Sequence, residues 1–225
     1  MYHTDAIILK RIEWGEADLL VTALTRDFGK IRLLAQGARK HGAKLQGHIE
    51  PGSCSSVSFV IGRNGYRITT AKLDEPFFAI RRSLSKLRAR DGILQTLDQN
   101  LLEERDRSEE LFYMTTGALD LINRARRLGI LHRAVAWFHV RFSSFLGVLP
   151  PPDSIEGMRF RTLSLIASTA LGDVEQFPIS EEILRKELMW FMTHVRDTPS
   201  GSFTVEARWF AVYPVVELRT ERRVE

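Results

Sequence analysis

The sequence predicts an α+β chain of two parts: a small N-terminal β-barrel followed by an all-α helical domain. Two observations carry this. Short apolar or alternating runs, none of helix length, fill the chain up to Glu75. From Phe77 onward the apolar residues recur with a helical period. The boundary falls at Pro76, giving residues 1–76 to the barrel and 77–225 to the helices.

The barrel elements follow in order. Ala6 to Leu9, Leu19 to Leu24 and Ile31 to Ala35 are apolar runs separated by turn residues. Ser55 to Ile61 alternates polar and apolar side chains, as a half-buried strand does. Asn64-Gly65 is a hairpin signal, because both residues tolerate positive φ, and Tyr66 to Ala71 alternates again. Closing such strands into a barrel removes the exposed sheet edges.

Leu84, Leu87, Ile93, Leu94 and Leu97 predict one or two helices. Ser108 before Glu109-Glu110 is an N-cap with acids in the first turn, and Leu111, Met114, Ala118, Leu121 and Ile122 continue that helix. Leu131 through Leu146 form another apolar face, stopped by Gly147 and Pro150-Pro151-Pro152. Ser180-Glu181-Glu182 starts a helix running to about Val195. The stretch from Ser202 to Val216 fits a strand or a helix equally. The acidic cluster Glu103 to Glu110 is expected to be a solvated connection between helices.

Several classes of chemistry lack their residues. There is no phosphate-cradling glycine loop of either common type. Asp27-Phe28-Gly29 stands without the other kinase elements and is expected to be a turn between strands. No pair of the six histidines has metalloprotease spacing; His132 and His139 share a helix face and are expected to be packing or surface histidines. Cys54, the sole cysteine, permits no internal disulfide and no cysteine-rich zinc site, and is expected to be a buried small residue in a reducing compartment. The N-terminus lacks a basic leader followed by an apolar run, and no stretch approaches the roughly 18 apolar residues of a membrane span. The expectation is a cytoplasmic, non-enzymatic protein with no cofactor, no metal and no membrane contact.

Cationic residues do form a pattern. The net charge is only +4, with a pI of about 9.4, yet the bases fall in three acid-free windows. Phe28 to Ile49 holds Lys30, Arg32, Arg39, Lys40, His41 and Lys44. Pro76 to Arg90 holds Arg81, Arg82, Lys86, Arg88 and Arg90. Leu121 to Pro152 holds Arg124, Arg126, Arg127, Arg133 and Arg141. Together they favour a polyanion surface. Glycines 37, 42 and 47 keep the first window open enough to mould to a phosphate chain. An OB-type barrel binds single strands with one face and its flanking loops, combining basic groups with aromatic platforms. Arg63 and Tyr66, beside the predicted hairpin turn, join the candidates, with Phe28 and Phe59 as further aromatics that also fit the core. Arg133, Trp137 and Arg141, four apart, form a stripe able to stack on bases or grip an acidic peptide. A protein-only adaptor, with a barrel that binds a partner and incidental charge, is the alternative function.

Taken in order, Ala6-Ile7-Ile8-Leu9-Lys10-Arg11, Trp14-Gly15-Glu16-Ala17-Asp18, Leu24 through Arg32 and Gly37-Ala38-Arg39-Lys40 resemble the RecO family of bacterial recombination mediators. Lys44-Leu45-Gln46-Gly47 and Pro51 fill the places of the family's next elements, and Glu109 to Phe112 and Phe138 to Pro150 are similar to its helices. The resemblance implies an OB-fold joined to a helical domain that acts without ATP. It implies binding to single- and double-stranded DNA and annealing of complementary strands. It further implies association with RecR and with the acidic C-terminal tail of single-stranded DNA-binding protein, help in loading RecA, and a nucleoid-associated place in the cytoplasm. Many family members carry a four-cysteine zinc module where this chain has Pro151-Pro152-Asp153-Ser154, so zinc is not implied here.

Overall fold

The structure is a computed structural model, and it describes residues 1–63, 65–105, 107–149 and 157–195. Asn64, the triple proline and the stretch from Ser202 to Val216 lie outside the described residues.

Five strands, β1 (Tyr2–Trp14), β2 (Asp18–Thr25), β3 (Gly29–Ala35), β4 (Cys54–Gly62) and β5 (Gly65–Glu75), close a barrel in the order β1-β2-β3-β5-β4. This is an OB-type barrel. Every pairing is antiparallel except β3 with β5, which is parallel and holds only at Leu33 opposite Tyr66 and Leu34 opposite Arg67. A 3-10 turn, Lys44–His48, sits between β3 and β4. β1 is longer than its apolar run because the ladder continues through polar residues after a bulge between Ile8 and Lys10. Asp27-Phe28-Gly29 is the β2–β3 turn, with Gly29 at φ 68°.

Among the described residues six helices follow: α1 (Phe78–Arg81), α2 (Leu84–Asn100), α3 (Glu109–Arg124), α4 (Leu128–Phe145), α5 (Gly157–Ser168) and α6 (Glu181–Val195), with a 3-10 turn at Leu171–Gln176. Ser108 caps α3, its hydroxyl accepting from the Leu111 amide at 3.2 Å. Ser180 does the same for α6 through the Ile183 amide at 3.3 Å. α4 ends at Gly147, whose φ of 68° suits only a residue without a Cβ.

Two apolar clusters explain how the parts join. Ala6, Ile8, Val21, Ala23, Ile31, Leu33, Val57 and Phe59 fill the barrel. Ile7, Leu9, Leu24 and Cys54 point the other way, out of the barrel, into the helical core with Ile93, Leu97, Phe138 and Phe142. That is why Ile7, Ile8 and Leu9 are all buried: one face of β1 meets the barrel interior and the other meets helices.

Candidate nucleic-acid interface

The strand register sorts the outer face of β1–β2–β3 into rows. The first is Ile7, Leu24 and Lys30; the second is Lys10, Thr22 and Arg32; the third is Ile12, Leu20, Leu34 and Arg67 of β5. Side chains in register share a face. The helices bury the first row. Ile7 and Leu24 are in the helical core, and Lys30, 6% exposed, donates from Nζ to the Asp98 carbonyl at 2.6 Å. The second row is clamped at both ends: Lys10 reaches the Asp98 carboxylate at 3.5 Å, and Arg32 pairs with Glu103. The third row is open. Ile12 is 43% exposed, Leu20 and Leu34 are half-buried and Arg67 is exposed. Trp14, 54% exposed, stands one pair beyond it, opposite Asp18.

The basic loop lies beside this open row. It is held to the β1–β2 turn: the Gly37 amide donates to Asp18 Oδ1 at 2.7 Å and the Arg39 amide to the Ala17 carbonyl at 2.8 Å. Consecutive tight turns follow, Lys40 amide to Gly37 carbonyl and Ala43 amide to Lys40 carbonyl. Gly37 and Gly42 take φ of 66° and 77°, so these glycines make turns rather than slack. A groove of about 670 Å³ runs between the loop and β5, lined chiefly by Gln36, Lys40, His41, Arg67 and Thr69. Lys40, His41 and Lys44 are exposed.

Folding also supplies the acids that the sequence window lacks. Arg39 is bound by Glu13 at 2.9 Å and Arg32 by Glu103. Lys30 is interior. Of the five cations and His41 in that window, Lys40, His41 and Lys44 therefore present the most open groups. Arg63 is exposed at the β4–β5 turn. Tyr66 packs edge-on against Phe59 at 5.2 Å, and burial together with the neighbouring Glu104 carboxylate raises its phenol pKa. Phe59 is fully buried and Phe28 packs edge-on against it, so neither is a surface platform. Arg81 at the end of α1, Arg82 just after it and Arg88 on α2 are exposed.

The stripe on α4 corrects the expectation of a partner-binding face. Trp137 is 4% exposed and its indole Nε1 donates to the Thr169 carbonyl at 2.9 Å. Arg133 donates to the carbonyls of Glu175 at 2.6 Å and Ile179 at 3.4 Å, and Arg141 to that of Ala167 at 2.7 Å. These three side chains hold the last turn of α5 and the segment after it against α4. Their spacing on one helix face is real, but Trp137 is inside and the half-buried Arg133 and Arg141 are engaged with these carbonyls.

Other reactive groups are sequestered. Burial pushes the Cys54 thiol up to about 12. His139 is fully buried; its Nδ1 donates to the Val135 carbonyl at 2.8 Å, so Nε2 accepts from Thr96 at 3.2 Å. Among the described residues no three His, Cys, Asp or Glu side chains gather as metal ligands, and no helix is long and apolar enough to cross a membrane.

Sequence reasoning missed Trp14, Ile12, Leu20, Leu34 and Arg67 as site residues. The alternation Tyr66-Arg67-Ile68 places Arg67 outside once Ile68 is inside. The apolar members became visible only with the register.

A closed five-stranded barrel with one open face and a flanking loop is the OB-type architecture, which in other proteins binds oligonucleotides or oligosaccharides. Residues 1–77 match the family described as "Recombination protein O N terminal". The chain is 33% identical over 151 residues to the "DNA repair protein RecO" of Thermodesulfovibrio yellowstonii, covering 66% of this chain and 58% of that protein. It is 34% identical over 134 residues to that of Roseiflexus sp., covering 60% and 47%. Over 200 residues it is 28% identical to that of Caldanaerobacter subterraneus, covering 85% and 78%. Residues 1–77 belong to the RecO N-terminal family, and these relatives are all RecO proteins. The chain spans about half the length of the first two of these relatives.

Proposed function

We propose that this chain is a non-enzymatic mediator of recombinational DNA repair. It binds single- and double-stranded DNA, anneals complementary strands without ATP, and helps load RecA onto strands coated by single-stranded DNA-binding protein, together with RecR. The observation that carries DNA binding is the third register row: an open apolar strip from Ile12 to Leu34, ending at Arg67 and the Lys40 groove. Bases stack or pack on the strip while the cations follow the phosphates. Neutralising two strands at once lowers their mutual repulsion and allows them to pair.

With Trp137 buried, the acidic tail of the single-strand binding protein needs a seat that shares only Arg133 with the α4 stripe. A groove of about 740 Å³ where α3 meets α4, lined by Arg124, Arg126, Arg127 and Arg133 with Glu175 and Glu181, suits it. Partnership with RecR and a cytoplasmic, nucleoid-associated place are inferred from family membership.

Strand annealing, with and without single-strand binding protein and over a range of salt, tests the function. The expected result is annealing that falls steeply with salt and persists on coated strands. Salt-independent behaviour, or no DNA binding, would instead favour a protein-only adaptor.

A further inference from the structure

The connector between α2 and α3 is solvent-exposed, as expected of its acidic sequence, but its backbone is tied to β3. The Glu104 amide donates to the Lys30 carbonyl at 2.9 Å, and Glu103 forms a parallel bridge with Lys30. β3 offers this edge because its pairing with β5 holds only at Leu33 and Leu34. The connector thus docks on the N-terminal half of β3, beside that short pairing. Its carboxylates take up ligand-type contacts there: Glu103 binds Arg32, and Glu104 lies at the Tyr66 phenol. Arg107 also acts on Tyr66 and partly offsets that charge. Glu104 adopts φ of 60°, one of two non-glycine residues at positive φ among the described residues. An ordinary side chain held there is strained, so docking of this segment is opposed from within.

We infer that the connector is an acidic strap that occupies part of the strand-binding face and is displaced by a nucleic-acid strand. This rests on the reading that the open row binds single strands. A strand lying along Ile12, Leu20 and Leu34 reaches the second row next, where Lys10 and Arg32 stand at the two ends and a carboxylate already holds Arg32. Phosphate and Glu103 compete for the same guanidinium, which suits either anion in the same bidentate fashion. Release of the strap frees Arg32, extending the footprint from the third row to the second. The strap therefore sets a threshold: short or poorly placed strands meet only the third row, and longer ones gain the second.

Hydrogen exchange across residues 101–107, with and without a saturating dT20 oligonucleotide, tests this on the full chain. Bound strand is expected to accelerate exchange of the Glu104 amide. Glu103→Gln with Glu104→Gln is expected to bind dT20 about fivefold more tightly than wild type, the scale of one or two exposed ion pairs. Asp173→Asn with Glu182→Gln removes two charges on the helical side and is expected to change affinity much less. If dT20 binds but the Glu104 amide stays protected, the strap is wrong while the binding face stands. Equal gains from both double variants would likewise overturn the strap. If dT20 does not bind at all, the binding face fails and the strap fails with it.

Discussion

The Lys30 ammonium donates to the Asp98 carbonyl at 2.6 Å, joining the middle of the barrel to the last turn of α2. A helix C-terminus leaves carbonyls without intrahelical partners and carries partial negative charge, so a buried lysine is well placed there. The lysine that heads the basic sequence window is thus a structural tie. Lys30→Ala is expected to lower folding stability by about 2 kcal/mol, through removal of a charged hydrogen bond and an orphaned carbonyl. Urea unfolding measures it. Its effect on the salt dependence of DNA binding should be nil once the variant is folded.

Lys40 and Arg67 should behave oppositely. Both line the groove beside the open row and neither supports the core. Removing one cation that neutralises a phosphate of a single strand flattens the plot of log affinity against log salt by about 0.7. Lys40→Ala with Arg67→Ala is expected to flatten it by about 1.4 with an unchanged unfolding midpoint. Fluorescence anisotropy of a labelled oligonucleotide from low to moderate salt reads this directly, and an unchanged slope would remove the groove from the interface.

Trp14 separates stacking from charge. Removing a base-stacking aromatic costs about 1–3 kcal/mol of binding, independent of salt. Trp14→Ala is therefore expected to weaken oligonucleotide binding by that amount with no change in salt slope. Trp14→Phe should recover most of the loss.

The barrel and the helical domain were legible because alternation, turn residues and caps are local features. Ser108 and Ser180 stand at helix starts for reasons contained in four or five residues. Face assignment was less legible, because it depends on which partner covers a strand. Lys30, Arg32 and Arg39 look alike in sequence. One is buried under α2 and the other two are paired with acids that lie far along the chain or on another strand. The acid-free window was a true feature of the sequence and a poor guide to the local field. Trp137 likewise shows helical spacing, yet only the placement of the segment after α5 determines that its face is inside.

His139 gives the fold a defined sensitivity to acid. It is fully buried, and burial lowers its pKa to about 4, against an ordinary value of 6.5. The hydrogen bond to the Val135 carbonyl opposes this shift without cancelling it. The neutral ring is the form the structure fits, with Nδ1 donating and Nε2 accepting. Between pH 6.5 and 4 the unfolded chain binds a proton at this residue that the folded chain refuses. The unfolded state then holds more protons, so stability rises with pH through this window. The contribution is fully present above about 6.5, declines as pH falls, and is exhausted near 4. Its size is on the order of 3 kcal/mol. Urea unfolding at a series of pH values should show this loss in wild type. His139→Gln cannot titrate, so its stability is expected to be lower at neutral pH but flatter between pH 6.5 and 4. Parallel curves for the two proteins would mean that the acid sensitivity arises elsewhere in the chain.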